Sequence, residues 1–377
     1  TLAILILTAA LAPVVCKMSS RLGSLAVAAV PFAIGCWFVT LWSDAGTGLG
    51  VLQTWRWLPE LGIDLAFRLD GLSLTFALLI CFIGSGVLLY ASSYLAGSPR
   101  LGSFMGVLTA FMVAMLGLVL SDNMLLLFVF WELTSITSFL LIGFEHERER
   151  ARWASLQALL TTGLGGLALL AGVVLLGIAG GTWTISELDP GLVVGSELFT
   201  PIALLLLLGA FTKSAIFPFH YWLPNAMEAP SPVSAFLHSA TMVKAGVYLI
   251  ARMHPTMQGP PLWDESLALF GGATMLLGAY LATRQDQLKK ILAYSTVSSL
   301  GTLVLLIGLG APKAAATYLL AHAIFKGCLF LVAGSVTKAT GVKDPERLGG
   351  LLVRSPLLGL SAVFAALSMA GMFPLIG

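Results

Sequence analysis

Along most of this chain, stretches of mostly apolar residues follow one another, each close to the roughly 20 that a helix needs to cross a bilayer. Twelve can be marked: 1–16, 22–43, 71–94, 104–120, 123–143, 154–178, 199–217, 231–252, 265–283, 287–309, 313–336 and one starting near 356. With no water to satisfy the backbone, such stretches must be helices, so the predicted fold is an all-α polytopic membrane protein. Composition closes the alternatives. Only 10% of the 377 residues are charged, against about 25% in a soluble domain. The hydrophobic share is 58% and the mean hydropathy +0.95, more apolar surface than a soluble fold of this length can hide. A cytosolic enzyme and a disordered chain are excluded. A net charge of +2 leaves no basic stripe for nucleic acid. Forty glycines suit close helix packing in lipid.

Residues 44–70 are too polar to span. Trp55, Trp57 and an alternating pattern predict an extraplanar hairpin at the membrane interface. Lys and Arg crowd into the odd-numbered loops, thirteen against four in the even-numbered ones. The positive-inside rule then places the odd loops in the cytoplasm and the N-terminus outside a cell membrane. Cys16, Cys36, Cys81 and Cys328 are far apart in apolar runs, with no metal-ligand spacing, so no metal and no cofactor is expected. The chain starts without Met and stops at Gly377 inside an apolar run, so both ends read as cuts in a longer polypeptide.

The remaining three basic residues, Lys213, Lys244 and Lys326, lie inside apolar spans, as do Glu132, His238 and His322. An ionisable group at membrane depth costs several kcal/mol unless it is paired or hydrated, which makes it a functional candidate by default. One lysine alone could snorkel to the headgroups, and one histidine alone is more often a satisfied core residue. Repetition over four spans argues against both. His322 and Lys326 are four apart and share a helical face. His238 and Lys244, six apart, fall on roughly one side. A carboxylate near an ammonium keeps both charged, and a lysine in an apolar wall can release its proton; together they suit a relay.

Prolines mark breaks. Pro218 follows Lys213 and ends or kinks its helix. Pro374, in LSMAGMFPLIG, is placed much like it. Broken helices in two matching halves point to a transporter site. The expected organisation is N-terminal helices over 1–103, a first repeat over 104–252, and a second, truncated repeat over 253–377. Five helices per unit would make the repeats inverted.

The run KSAIFPFHYWLPNAMEAPSPVSAFLHSATMVKAGVYLIAR resembles the signature of the proton-translocating, antiporter-like subunits. These are shared by respiratory complex I, membrane-bound hydrogenases and the Mrp-type multisubunit cation/proton antiporters. DNMLLLFVFWELTSITSFLLIGF, DQLKKILAYSTVSSLG and HAIFKGCLFLVAGSVTKATGVKDPERLGGL extend the likeness over nearly the whole chain. FWELTSITSFLLIGFEHERERARW and ATMVKAGVYL look most like the large A subunit of the Mrp type. The resemblance implies a midplane proton pathway of Glu132, Lys213, His238, Lys244, Lys289, His322 and Lys326. Lys289 otherwise reads as a basic anchor at a loop edge. A further ionisable residue of the twelfth helix is expected just after Gly377.

The function so implied is that of a secondary-transporter subunit, not an enzyme. It would exchange Na+ or another monovalent cation for protons, beside other membrane subunits of a hetero-oligomeric antiporter in the lipid bilayer. Glu132 would hold Lys213 charged, and disrupting that pair would send a proton toward Lys244, His322 and Lys326. The rival is a proton-pumping subunit of a redox complex such as complex I or a hydrogenase. A haem or quinone carrier would need paired axial ligands, whereas both deep histidines sit beside a lysine. A scaffold gives no reason for buried charges.

Overall fold

The computed structural model describes residues 1–46, 50–58, 60 and 63–375. Two helices, α1 (Leu2–Met18) and α2 (Ser20–Thr40), lead into an antiparallel pair of strands, β1 (Val51–Leu58) and β2 (Ile63–Leu69). Val51 pairs with Leu69, and Trp55 with Leu65. The turn between the strands lies partly outside the described residues, as does Gly377 at the chain end. Then come α3 (Gly71–Tyr94), α4 (Leu101–Leu120), α5 (Met124–Ile142), α6 (Glu149–Gly180) and α7 (Phe199–Lys213). The chain continues through α8 (Ser231–Ser239), α9 (Ala245–Met257), α10 (Pro261–Ala282), α11 (Leu288–Gly308), α12 (Pro312–Thr340) and α13 (Pro356–Met369).

Among the described residues, nine helices are long and apolar enough to cross a membrane, with α8 and α9 counted as one, and α1, α7 and α13 are shorter apolar helices. The chain is therefore an all-α polytopic membrane protein with broken helices. Alternation fixes two sides. One carries the strand pair, the start of α3 and the ends of α9 and α11 (the hairpin side). The other carries the basic loops.

Helix ends follow local chemistry. Asp70 caps α3 in a capping box, its carboxylate accepting from the Ser73 amide at 3.0 Å while Ser73 Oγ accepts from the Asp70 amide at 2.7 Å. Asn123 caps α5 by accepting from the amides of Leu125 and Leu126. Backbone bonds tie the strand pair down, with Phe67 bridging to Ser121 and the Asp122 amide donating to the Ala66 carbonyl at 2.9 Å; next to them Asn123 bridges to Thr184. The core is centred on α4 and α8–α9, where Phe111, Phe236 and Tyr248 are fully enclosed.

Candidate functional site

The site grows from a helix that stops early. The apolar run containing α7 continues to Pro218, but the helix ends at Lys213. Ala215 adopts a left-handed conformation (φ 51°), and the Ile216 amide turns back to the Phe211 carbonyl at 2.9 Å, closing the end as a Schellman turn. Phe217–Pro218 is a cis peptide. Lys213 thus sits at the last helical position, fully buried. Its ammonium donates to Ser135 Oγ at 2.7 Å and to the Trp131 carbonyl at 3.1 Å, and lies 5.1 Å from the centre of the Trp131 ring. These contacts offset part of the cost of burying a charge. The side chain does not snorkel.

Glu132 behaves differently from the expected pairing. It forms no ion pair with Lys213. Trp131 and Glu132 are consecutive on α5, so their side chains diverge by about 100° around the helix. Lys213 meets the face carrying Trp131 and Ser135, whereas the Glu132 carboxylate turns toward α6. There a Cβ on Gly166 would stand 1.9 Å from Glu132 Oε1, so any larger residue would push the carboxylate from this place. The two charges act on each other across the helix without touching.

The second interruption was not legible as such. His238 and Lys244 are read from sequence as one face of one helix, yet the helix breaks between them. α8 stops at Ser239, and Thr241 leaves helical geometry (φ −130°, ψ −93°). Its hydroxyl donates to the Phe236 carbonyl at 2.7 Å, which the Ala240 amide also reaches at 3.3 Å, so the last turn of α8 is held from both sides of the break. A single turn over Met242–Lys244 then restarts the chain into α9. Ser214, just past the α7 break, ties the two interruptions together. It donates to the Val243 carbonyl at 2.6 Å and accepts from the Val247 amide at 3.1 Å. The approach is so close that a Cβ on Gly246 would stand 2.2 Å from the Ala210 carbonyl oxygen.

Lys244, His238, His322 and Lys326 are all fully buried. Lys244 donates to the Leu319 carbonyl on α12 at 3.1 Å. One turn further along α12, His322 faces the charges of both Lys244 and Lys326. Lys326 donates to Ser295 Oγ on α11 at 2.6 Å and touches Met369 Sδ on α13 at 3.4 Å. The His238 ring lies 6.3 Å from that of Trp222, whose indole N–H donates to the Thr212 carbonyl beside Lys213. Both nitrogens of His238 and of His322 are enclosed without a protein partner, as are Glu132 Oε1 and Ser234 Oγ. Buried polar atoms of this kind are rare in proteins and concentrate where function needs them.

Lys289 is not at mid-depth. It occupies the second position of α11, and its ammonium donates to the carbonyls of Met227 and Ala229, at 2.9 and 2.6 Å. It lines a polar cavity of about 200 Å³ on the basic-loop side with Glu145, Arg148, Glu228 and Lys343. Arg148 bonds both Glu145 and Glu228. The loop-edge reading describes its place better, because α11 starts only one residue earlier. Its charge still acts on His238.

On the hairpin side, Arg252 is a correction to the loop count. It is enclosed, with 11% of its side chain exposed, and pairs through both terminal nitrogens with Asp70. Its Nε donates to Tyr248 Oη at 3.1 Å, and Tyr248 in turn donates to the Val119 carbonyl. Burial opposes charge on Asp70, but the Arg252 guanidinium and the Ser73 hydrogen bonds prevail and hold its carboxyl well below the usual carboxylate range. The spacing Lys244, Tyr248, Arg252 was a signal in the sequence: four-residue steps put all three on one face of α9.

The arrangement can hold and pass protons. Five buried basic groups lie on four neighbouring helices, next to hydroxyls and breaks, and a carboxylate stands one side chain away. Among the described residues no group of three or more His, Cys, Asp and Glu could hold a metal ion.

Residues 121–377 match the family described as NADH:quinone oxidoreductase/Mrp antiporter, TM, and residues 55–105 match the family of the N-terminus of NADH-ubiquinone oxidoreductase (complex I), chain 5. The Na(+)/H(+) antiporter subunit A1 of Staphylococcus aureus is 45% identical over 369 residues, covering 93% of this chain and 46% of that protein. The subunit of the same name from Staphylococcus haemolyticus is 44% identical, covering 92% of this chain and 46% of its own length. The chain thus spans about half the length of these relatives. In the solved Mrp complex from Dietzia sp. DQ12-45-1b, one chain superposes with a TM-score of 0.92 at 38% identity, covering 100% of this chain and 41% of that one. A chain of an archaeal membrane-bound sulfane sulfur reductase superposes with a TM-score of 0.85 at 24% identity, covering 98% and 77%, a likeness of fold.

Proposed function

The chain belongs to the NADH:quinone oxidoreductase/Mrp antiporter membrane family, and from that premise we propose that it serves as a proton-translocating part of a multisubunit Na+/H+ antiporter. The observation that carries this reading is the set of five buried basic side chains, Lys213, His238, Lys244, His322 and Lys326, joined across two helix interruptions. Likeness to the Staphylococcus subunits, which are named for Na+/H+ exchange, supports antiport over a redox pump. The complete assembly adds further membrane subunits. It lies in the cell membrane with the N-terminus of this chain outside, the side on which few basic loops fall.

In this reading the basic-loop cavity at Lys289 opens toward His238, and Lys213 is the switch of the first repeat. Ser135 and the Trp131 carbonyl hold its ammonium, while Glu132 adds attraction from the neighbouring face. A change in the charge of Glu132 alters the balance at Lys213 without any bond being broken, and protons pass on by way of Lys244, His322 and Lys326. The repeats 104–252 and 253–377 are proposed as inverted units, supported by α7 and α13 running in opposite directions and ending in the same kind of break. Lys213→Ala in the whole complex should abolish Na+-dependent proton movement in vesicles while the complex still assembles. Near-normal antiport would sink the proposal.

A further inference from the structure

Between α3, α9, α11 and α12, on the hairpin side, lies a cavity of about 440 Å³ that the pathway above does not use. Its outer rim carries Arg252, His254 and Lys313, and its deeper wall is Phe76, Val247 and Leu319. Leu319 is the residue whose carbonyl accepts the Lys244 ammonium at 3.1 Å. The inner end of the cavity is therefore one residue away from a fully buried member of the charged set.

We infer that this cavity is the hairpin-side access route to Lys244, closed by a hydrophobic gate of Phe76, Val247 and Leu319. The inference rests on the proposed proton pathway and adds where that pathway meets the outer aqueous phase.

Three physical points support it. First, the gate residues are apolar and closely packed, with 1%, 3% and 4% exposure. Apolar cavities stay dry, and hydrophobic constrictions gate by dewetting. The route is shut at rest and conducts when it wets. Second, the deeper wall offers no side-chain oxygen ligands. Arg252 at the rim is held by Asp70, and His254 accepts from Trp263 Nε1 at 3.2 Å, while the inner lining is the apolar Phe76, Val247 and Leu319. A Na+ ion would have to shed its hydration shell there with no side chain to replace it, whereas a proton can cross a short water chain by hopping. The route thus suits H+ and not the exchanged cation. Third, the opposite side offers a different kind of opening, the charged cavity at Lys289. Lys244 stands between a polar entrance and a dry one. On the inward leg, once Lys244 has passed its own proton on, a hydronium ion in the wetted cavity protonates the amine left behind: one O–H bond of the hydronium breaks to leave water, an N–H bond forms, and the ammonium is restored.

The test uses the full multisubunit complex in sealed vesicles. Ala251 lines the cavity beside Arg252, and Ala251→Phe fills it while leaving every ionisable residue of the chain in place. The expected result is a fall in antiport of about tenfold or more, as expected for a plugged hydrophobic gate, with assembly intact. Because the larger side chain could prevent folding, a second measurement accompanies it. Ala315, buried on the lining, is changed to Cys in a chain lacking Cys16, Cys36, Cys81 and Cys328. A membrane-impermeant thiol reagent is then added from the hairpin side, and labelling should rise during turnover and block transport. Normal antiport in Ala251→Phe, or the absence of labelling during turnover, overturns the access route. Those failures leave the pathway itself standing if Lys213→Ala still abolishes transport; if Lys213→Ala transports normally, the functional reading falls with it.

Discussion

The ends of α7 and α13 have the same backbone and different side chains. After Lys213 and after Met369 the chain makes the same turn. The amide two residues past the cap returns to a carbonyl five residues back, Ile216 to Phe211 at 2.9 Å and Met372 to Leu367 at 3.1 Å. The residue before it is left-handed, Ala215 at φ 51° and Gly371 at φ 71°. A cis X-Pro bond follows two positions later in both. Position by position, Lys213 corresponds to Met369, Ser214 to Ala370 and Ala215 to Gly371. In the first break the helix supplies its own ammonium. In the second a thioether takes that place, and the ammonium comes from Lys326 on α12, which meets Met369 Sδ at 3.4 Å. A backbone interruption is therefore a seat for a charge, and which helix fills the seat is a side-chain decision.

Exchanging these correspondences tests them. Lys213→Met gives the first break the chemistry of the second. Transport should fall by about 100-fold or more, the scale on which removing a proton-transferring group acts, while the melting temperature of the complex holds or rises because a buried charge has gone. Proton flux in vesicles and a thermal shift read the two effects; transport above a tenth of normal breaks the comparison. Met369→Lys does the reverse. It sets a second ammonium against Lys326, and two like charges about 4 Å apart repel by about 4 kcal/mol in a partly polar interior. The expected outcome is roughly a tenfold loss of transport, recovered when Lys326→Met is added. A double variant no better than the single one would mean that the two positions do not share a seat.

Smaller effects sharpen the next two positions. Ser214→Ala copies Ala370 into the first break and removes the acceptor of the Val247 amide. Leaving a buried donor unpaired costs about 1–3 kcal/mol, visible as a lowered melting temperature; an unchanged one would show that the bridge between the two interruptions carries no weight. Ala215→Gly and Gly371→Ala exchange the left-handed residues. A side chain in that conformation costs about 1 kcal/mol, so the first should stabilise slightly and the second destabilise slightly. Shifts of the same sign in chemical denaturation would count against the shared turn.

Much of this was legible in the residues. KSAIFPF and MAGMFPL show the two breaks to the eye, and Lys213, Lys244 and Lys326 stood out because an apolar span makes any charge conspicuous. The relation between Glu132 and Lys213 was not legible, because residue types suggest a pair while helical phase decides which face each presents. The gap between His238 and Lys244 escaped because no Pro or Gly announces it; inside it the Thr241 hydroxyl turns back to the Phe236 carbonyl. Arg252 passed for a loop residue because its partner, Asp70, is 182 positions away.

What the sequence determined by itself is the class of the protein and its unusual charges. Apolar length and the cost of an unsatisfied backbone in lipid leave only helices, and desolvation makes every internal charge exceptional. What the tertiary structure alone decided is who meets whom. Lys213 rests on Ser135, Lys244 on the Leu319 carbonyl, and Lys326 on Ser295 and Met369. Burial energy depends on residue type and can be read along a chain, but hydrogen bonds and charge contacts act over a few ångströms, and only the packing of helices sets those distances.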